Sequence, residues 1–244
     1  MVRLILIFLI FIFNTAHAVG ANSSTSLGYR ALDFSIAEAG SYRLQNFGKA
    51  YDGAILDSSG KQTTLHHLYN DKVSILGFVY LNCGDINGCP LTTFVVSQLK
   101  SEIEKIEELS DNVRLISLSF DPERDTPKAL SGHGVHMGAN NKLWSLVTTK
   151  SQEQLQPLLK DYNQAIQRMY KNGKETGEIT HILRVYLIDK QKNIRNIYST
   201  AFLHKDILLN DIKTILLEQD PSMSFTNKKY STQDHQHKNH DMQH

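Results

Sequence analysis

Cys83 and Cys89 are the only cysteines in this chain of 244 residues, and they lie six positions apart in Val79-Tyr80-Leu81-Asn82-Cys83-Gly84-Asp85-Ile86-Asn87-Gly88-Cys89-Pro90. An apolar strand pattern gives way here to a helical one, so the stretch presents a dithiol at a strand-to-helix junction. With no third thiol to compete, the pair closes a disulfide, shares a metal ion or stays reduced together.

The compartment weighs those outcomes. After Met1-Val2-Arg3 the chain runs through ten apolar residues, 4–13, to Ala16-His17-Ala18, the small-x-small pattern of a cleavage site. A bilayer-spanning helix needs roughly 20 apolar residues. We therefore expect residues 1–18 to be a cleaved signal peptide. The mature chain should then be periplasmic or secreted, with no membrane span, in surroundings where a disulfide persists. In such proteins a single disulfide is ordinarily structural.

Net charge is +1, from 26 basic and 25 acidic residues interspersed along the chain. No basic face points to nucleic acid, and no polybasic run points to lipid. Residues 226–244 contain no Ile, Leu, Val or Phe, while four of the last ten residues are His235, His237, His240 and His244. Such a segment cannot bury enough apolar surface to order itself, and its imidazoles are candidate secondary metal ligands. The expected organisation is an N-terminal extension at 19–41, one domain at 42–220 and a disordered His-rich tail at 221–244, in a monomer.

The elements that must position the dithiol are legible from periodicity. Residues 73–80 and 113–120 read as buried strands, and 90–109 as a helix with Pro90 in its first turn and Leu91, Phe94, Val95, Leu99, Ile103, Ile106 and Leu109 at helical spacing. Strand, helix, strand at this length implies a right-handed parallel crossover. Residues 182–188 and 194–198 form a predicted hairpin, 205–218 a last helix, and 54–61 an N-terminal hairpin. The fold class is α/β: a central mixed sheet flanked by helices on the thioredoxin-like plan.

Three features now coincide. The cysteine-containing loop ends in Cys89-Pro90. Phe120-Asp121-Pro122-Glu123-Arg124-Asp125-Thr126-Pro127 follows, and His181 stands just ahead of Val185-Tyr186-Leu187-Ile188-Asp189. Together they resemble the Sco/SenC copper-chaperone family over roughly residues 42–218. The resemblance implies a thioredoxin-like fold that binds copper through Cys83, Cys89 and His181. It also implies a partner, an apo cuproprotein such as a respiratory oxidase subunit, and a thiol reductant protein that keeps the pair reduced. Two departures stand out: Asn87-Gly88 is a two-residue insertion before the second cysteine, and Gly84 replaces the proline usual after the first.

The residue chemistry agrees with that reading. Thiolates select Cu(I) and imidazole also tolerates Cu(II), so the set holds copper in either state. Cys89, at a helix start, is expected to have its thiolate favoured by the helix dipole. His181 is expected on a loop at the sheet's end. Cys83 and Cys89 are also expected to form a reversible redox disulfide, which needs their Cα atoms within about 7 Å. Asn87-Gly88 would fold the loop back as a tight turn.

Other residues get plainer readings. Asp125 or Thr126 caps a helix opened by Pro127, and Arg124 pairs with an acid. Gly132-His133-Gly134-Val135-His136-Met137-Gly138 reads as a Gly-rich surface loop, although His133, His136 and Met137 are types that ligate soft metals. His66 and His67 read as exposed. Three functions remain: copper chaperone, thiol–disulfide oxidoreductase, and passive copper buffer using the tail. The loop lacks the Cys-x-x-Cys spacing of a thioredoxin-type enzyme. A buffer would need neither the scaffold nor His181.

Overall fold

A computed structural model describes residues 28–227. The expected signal peptide at 1–18 and the tail histidines His235, His237, His240 and His244 lie outside the described residues. The elements in chain order are β1 (Ala54–Asp57), β2 (Gln62–Thr64), α1 (Leu65–Tyr69), β3 (Val73–Val79), α2 (Cys89–Glu104), α3 (Glu107–Asn112), β4 (Val113–Ser119), α4 (Pro127–Met137), β5 (Trp144–Thr148), α5 (Gln152–Asp161), β6 (Ile166–Lys171), β7 (Lys174–His181), β8 (Val185–Ile188), β9 (Ile194–Tyr198) and α6 (Lys205–Gln219).

Seven strands make one sheet in the order β2-β1-β5-β4-β3-β8-β9. β3, β4 and β5 run parallel, and the outer strands join them antiparallel. Every residue of β3 is buried, because helices cover both of its faces. Val73 and Ile75 point to the face packed by Val95, Leu99, Ile212 and Ile215. Leu76 and Phe78 point to the other, with Leu65, Leu155 and Leu158. This is the α/β plan read from the sequence.

Four differences have physical causes. The helix expected over 90–109 breaks at Ile106, which takes extended geometry and bridges to Asn227. The chain past residue 220 therefore still packs, with Met223 and Phe225 against the core. The hairpin over 54–61 is present, but β1 also pairs with β5, making it part of the sheet edge. His66 is half-buried, with one ring nitrogen 2.9 Å from the Ala50 carbonyl, while His67 is exposed.

The fourth difference concerns residues 132–138, which are helical rather than a loop: α4 runs through Gly132 and Gly134 and ends at Gly138 in the left-handed region. Thr126 caps its start and Pro127 opens it, as the sequence suggested. Gly134 costs the helix roughly 0.5–1 kcal/mol relative to alanine. A Cβ there would clash with the Asn140 side chain, which bonds the Leu130 carbonyl and the Leu146 amide.

Candidate metal centre

The sulfurs are placed by the core. β3 runs out at Val79, and the next amide, Tyr80 N–H, donates to Cys89 Sγ at 3.4 Å. Cys89 is the first residue of α2 and only 3% exposed, whereas Cys83 is half-buried on the preceding loop. Both cysteines are free. The loop between them closes through a turn in which Gly88 N–H donates to the Asp85 carbonyl at 2.9 Å and Asn87 N–H to Asp85 Oδ1 at 3.0 Å. Ile86 and Asn87 occupy the turn centre and Gly88 its last position. Neither Asn87 nor Gly88 has positive φ, so this is not the hairpin-type turn expected of Asn-Gly.

Gly88 has a second role. A Cβ on it would lie 3.2 Å from Asp85 Oδ2 and 3.3 Å from His181 Nε2, so the absent side chain leaves room for the imidazole.

His181 arrives by a route the sequence reading missed. It is not on a loop ahead of β8 but is the last residue of β7, which pairs only with β6 in a separate two-stranded ribbon. The overlooked signal was Asn172-Gly173, both at positive φ, a two-residue hairpin turn between Lys171 and Lys174. The imidazole lies against Phe120 (4.8 Å between ring centroids) and edge-on to Tyr80 (6.2 Å). Tyr80 accepts from Ile179 N–H at 3.2 Å and donates to its carbonyl at 3.4 Å, fixing the strand two residues before the histidine. Burial pushes the Tyr80 hydroxyl up to about 12, so it keeps its proton.

The Asp-Pro-Glu-Arg-Asp stretch brackets the two halves. Asp125, 3% exposed, accepts from Leu81 N–H at 3.0 Å and Ser119 Oγ at 2.6 Å, pinning the start of the cysteine loop. Thr126, not Asp125, is therefore the helix cap. Asp121, fully buried, binds Arg124 at 2.7 Å and Arg168 of β6 at 3.2 Å. Both guanidiniums also reach Glu175 of β7 at 2.8 Å. Arg124 thus pairs with acids as expected. Asp121, Asp125, Arg168 and Glu175 are positioning residues whose tertiary partners the sequence does not reveal.

Cys83 Sγ, Cys89 Sγ and His181 Nε2 all lie within 4.8 Å of one another, and Cys89 Sγ is 3.5 Å from Nε2. The neighbouring Cys89 thiol holds Cys83 well below the ordinary thiol range, against a desolvation cost and with help from His181. The same contact, together with burial, pushes the Cys89 thiol up. The half-buried Cys83 is therefore the sulfur that gives up its proton first, and the buried Cys89 the one that keeps it. This reverses the expectation for Cys89: the neighbouring Cys83 and burial outweigh the help its thiol receives from the helix start.

A copper ion fits this donor set. A first-row ion takes sulfur at about 2.3 Å and nitrogen at about 2.0 Å, so three ligands around it stand roughly 4 Å apart. Closing from 4.8 Å needs only a small adjustment. His181 Nδ1 is buried with no hydrogen-bond partner, which leaves Nε2 as the ring atom that meets the sulfurs. Among the described residues no other group of three His, Cys, Asp or Glu converges in this way. No helix among them is long and apolar enough to cross a membrane.

The comparisons with known proteins agree with this geometry. A SCO1 protein homolog of Bacillus subtilis (strain 168) is 26% identical over 163 residues, 65% of this chain and 78% of its own length. The copper-bound crystal structure of Arabidopsis thaliana ScoI superposes with a TM-score of 0.58 at 20% identity, covering 69% of this chain and 98% of that one. BsSco, in which a disulfide switch was identified and which is described as a member of the Sco family of cytochrome c oxidase assembly proteins, superposes at 0.56 with 23% identity, covering 71% and 98%. The SCO1/SenC family model matches residues 42–217, and the chain belongs to that family.

Proposed function

We propose that this protein is a copper metallochaperone of an extracytoplasmic compartment, which carries one copper ion on Cys83, Cys89 and His181 to an apo cuproprotein such as a respiratory oxidase subunit. The observation that carries the proposal is the convergence of two sulfurs and one imidazole nitrogen within 4.8 Å on a Sco-family scaffold. Copper is cargo here, so the chain must both hold it and yield it. The sulfurs provide soft donors for Cu(I), and His181 adds a donor suited to Cu(II). Cys83, the more exposed of the two sulfurs, is the one an incoming sulfur or nitrogen of a partner reaches first. The tail histidines His235, His237, His240 and His244 would raise the local copper concentration without forming the site. A thiol reductant protein would keep the pair reduced.

A second reading has its own support. A half-buried thiolate beside a buried thiol also suits thiol–disulfide exchange with a partner, Cys83 attacking and Cys89 resolving.

Titration separates the two. The reduced chain with its four tail histidines replaced by Asn should bind one Cu(I) tightly, read by competition with a chromophoric chelator. Cys89→Ala should weaken that binding more than about 100-fold, beyond the 10–100-fold typical of lost supporting contacts. Affinity within tenfold of the parent would leave thiol exchange as the better account.

A further inference from the structure

The dithiol opens onto a cavity of about 460 Å³ that does not contain His181. One wall is Pro90, Thr93, Phe94 and Ser97 of α2, and the wall facing it comes from α4, which contributes His133, His136 and Met137. These three sit at i, i+3 and i+4 of one helix. Side chains at such spacing are neighbours, with Cβ atoms about 5–6 Å apart, and a metal at 2.0–2.3 Å from each donor lies within their reach. Two imidazoles and a thioether form a soft-to-borderline donor set suited to Cu(I). His133 and His136 are exposed, so they meet solvent copper first, while Met137 is half-buried at the rim of the core.

α4 keeps a helical course through two glycines, and Gly134 is what lets it seat against Asn140 and Leu146. That seating turns the three donors toward the cavity they share with Cys83 and Cys89.

We infer that His133, His136 and Met137 form a second Cu(I) site, an entry station from which the ion crosses the cavity to the dithiol. The inference rests on the reading of Cys83 and Cys89 as the copper site. The crossing is ligand exchange with no change of oxidation state. Two copper–nitrogen bonds and one copper–thioether bond break, two copper–thiolate bonds form, and any thiol proton the ion displaces passes to solvent. Phe94 and Leu130 are among the residues that line this cavity.

Two measurements test it, both in the full chain with His235, His237, His240 and His244 replaced by Asn. In the first, Cys83→Ser and Cys89→Ala remove the main site, and Cu(I) alone is titrated in. One weaker equivalent should remain, with X-ray absorption showing nitrogen and one sulfur. Adding His133→Asn, His136→Asn and Met137→Leu removes all three donors and should abolish it. No copper above that triple background overturns the site. In the second, the cysteines are intact, so folding of the cysteine-free variant is not at issue. The triple substitution should slow Cu(I) loading several-fold while the final affinity of the dithiol stays within twofold. Equal loading rates overturn the entry role. Failure of the dithiol to hold copper would be seen separately, in the parent, and would not remove the equivalent on α4.

Discussion

The sulfur side and the imidazole side of the centre are built from different material. Cys89 opens α2, which packs so closely on β3 that a Cβ on Gly77 of β3 would come within 3.1 Å of Thr92 of α2. β3 has no exposed residue. His181 ends a ribbon whose residues are mostly exposed and whose strands pair only with each other. What holds that ribbon over the sulfurs is the Tyr80–Ile179 pair of hydrogen bonds, the Phe120 contact, and the Asp121, Arg124, Arg168 and Glu175 ion cluster. The position of Cys89 thus inherits the stability of the core, at roughly 1.5–3 kcal/mol for each large apolar side chain buried, and hydrogen bonds to Asp85 and Asp125 tie the Cys83 loop to it. Imidazole geometry depends on a few polar contacts. A site so divided keeps its Cu(I) donors fixed while its third ligand can be adjusted, which suits a cargo that must be both held and released.

The largest effect should come from the sulfur side alone. Because the neighbouring Cys89 thiol holds Cys83 well below the ordinary thiol range, its thiolate is present throughout the working range. In the reduced, metal-free chain, alkylation of Cys83 by iodoacetamide should be nearly flat between pH 8 and pH 5. An ordinary thiol near 8.5 loses thiolate by about 1000-fold over that interval. Cys89, buried and protonated, should stay unmodified until Cys83 has reacted or the chain unfolds. Peptide mass spectrometry resolves the two. A Cys83 rate that drops tenfold per pH unit would show that Cys83 is an ordinary thiol.

The next effect divides the two sides. His181→Ala leaves β3, α2 and both sulfurs in place, so Cu(I) affinity should fall about tenfold while Cu(II) affinity falls about 100-fold or more. Electron paramagnetic resonance and chelator competition follow the two states separately. Equal losses in both would mean that the ribbon supplies packing rather than a ligand.

The same division explains what could be read from the sequence. Strands β3 and β4, helix α2 and helix α6 carry long apolar runs or strong periodicity, since each is buried by the core, and they were predicted within a few residues. The ribbon has no apolar run, because it packs through charges and two aromatic rings. Its one local signal, Asn172-Gly173, was passed over, while Asn87-Gly88 was given a hairpin-type turn it does not adopt. The difference lies in the flanks: Asn172-Gly173 joins two strands that pair, whereas Asn87-Gly88 leads into a helix and Asp85 captures its amides. The ligands were named through resemblance, since no spacing rule links His181 to residues some ninety positions earlier. Asp121 and Asp125 escaped assignment because a motif that looks like a helix cap gives no sign of tertiary partners. The run 132–138 was misread because glycine's usual meaning in a helix was overruled by one close contact, at Asn140.

The smallest effect probes the attachment of the ribbon. Hydrogen bonds from Arg124 first and Arg168 second hold the Glu175 carboxyl below the usual carboxylate range. A carboxylate depressed in the folded state contributes attachment that is complete above its unfolded value, about 4.3, and is lost as pH falls through the folded value. Acidification below about pH 4.3 should therefore release β6 and β7 before it disturbs the sheet. Glu175→Ala should bring that loosening to pH 7, where Asp121 still engages both arginines and the remaining loss is modest. The readout is amide hydrogen exchange. Protection at Ile179, Thr180 and His181 should fall several-fold in the variant while Leu76 and Ile116 keep theirs. Cu(II) affinity should drop by only a few-fold and Cu(I) affinity should hold. If ribbon and sheet amides lose protection together, the ribbon is part of the core's cooperative unit, and the imidazole is held as firmly as the sulfurs.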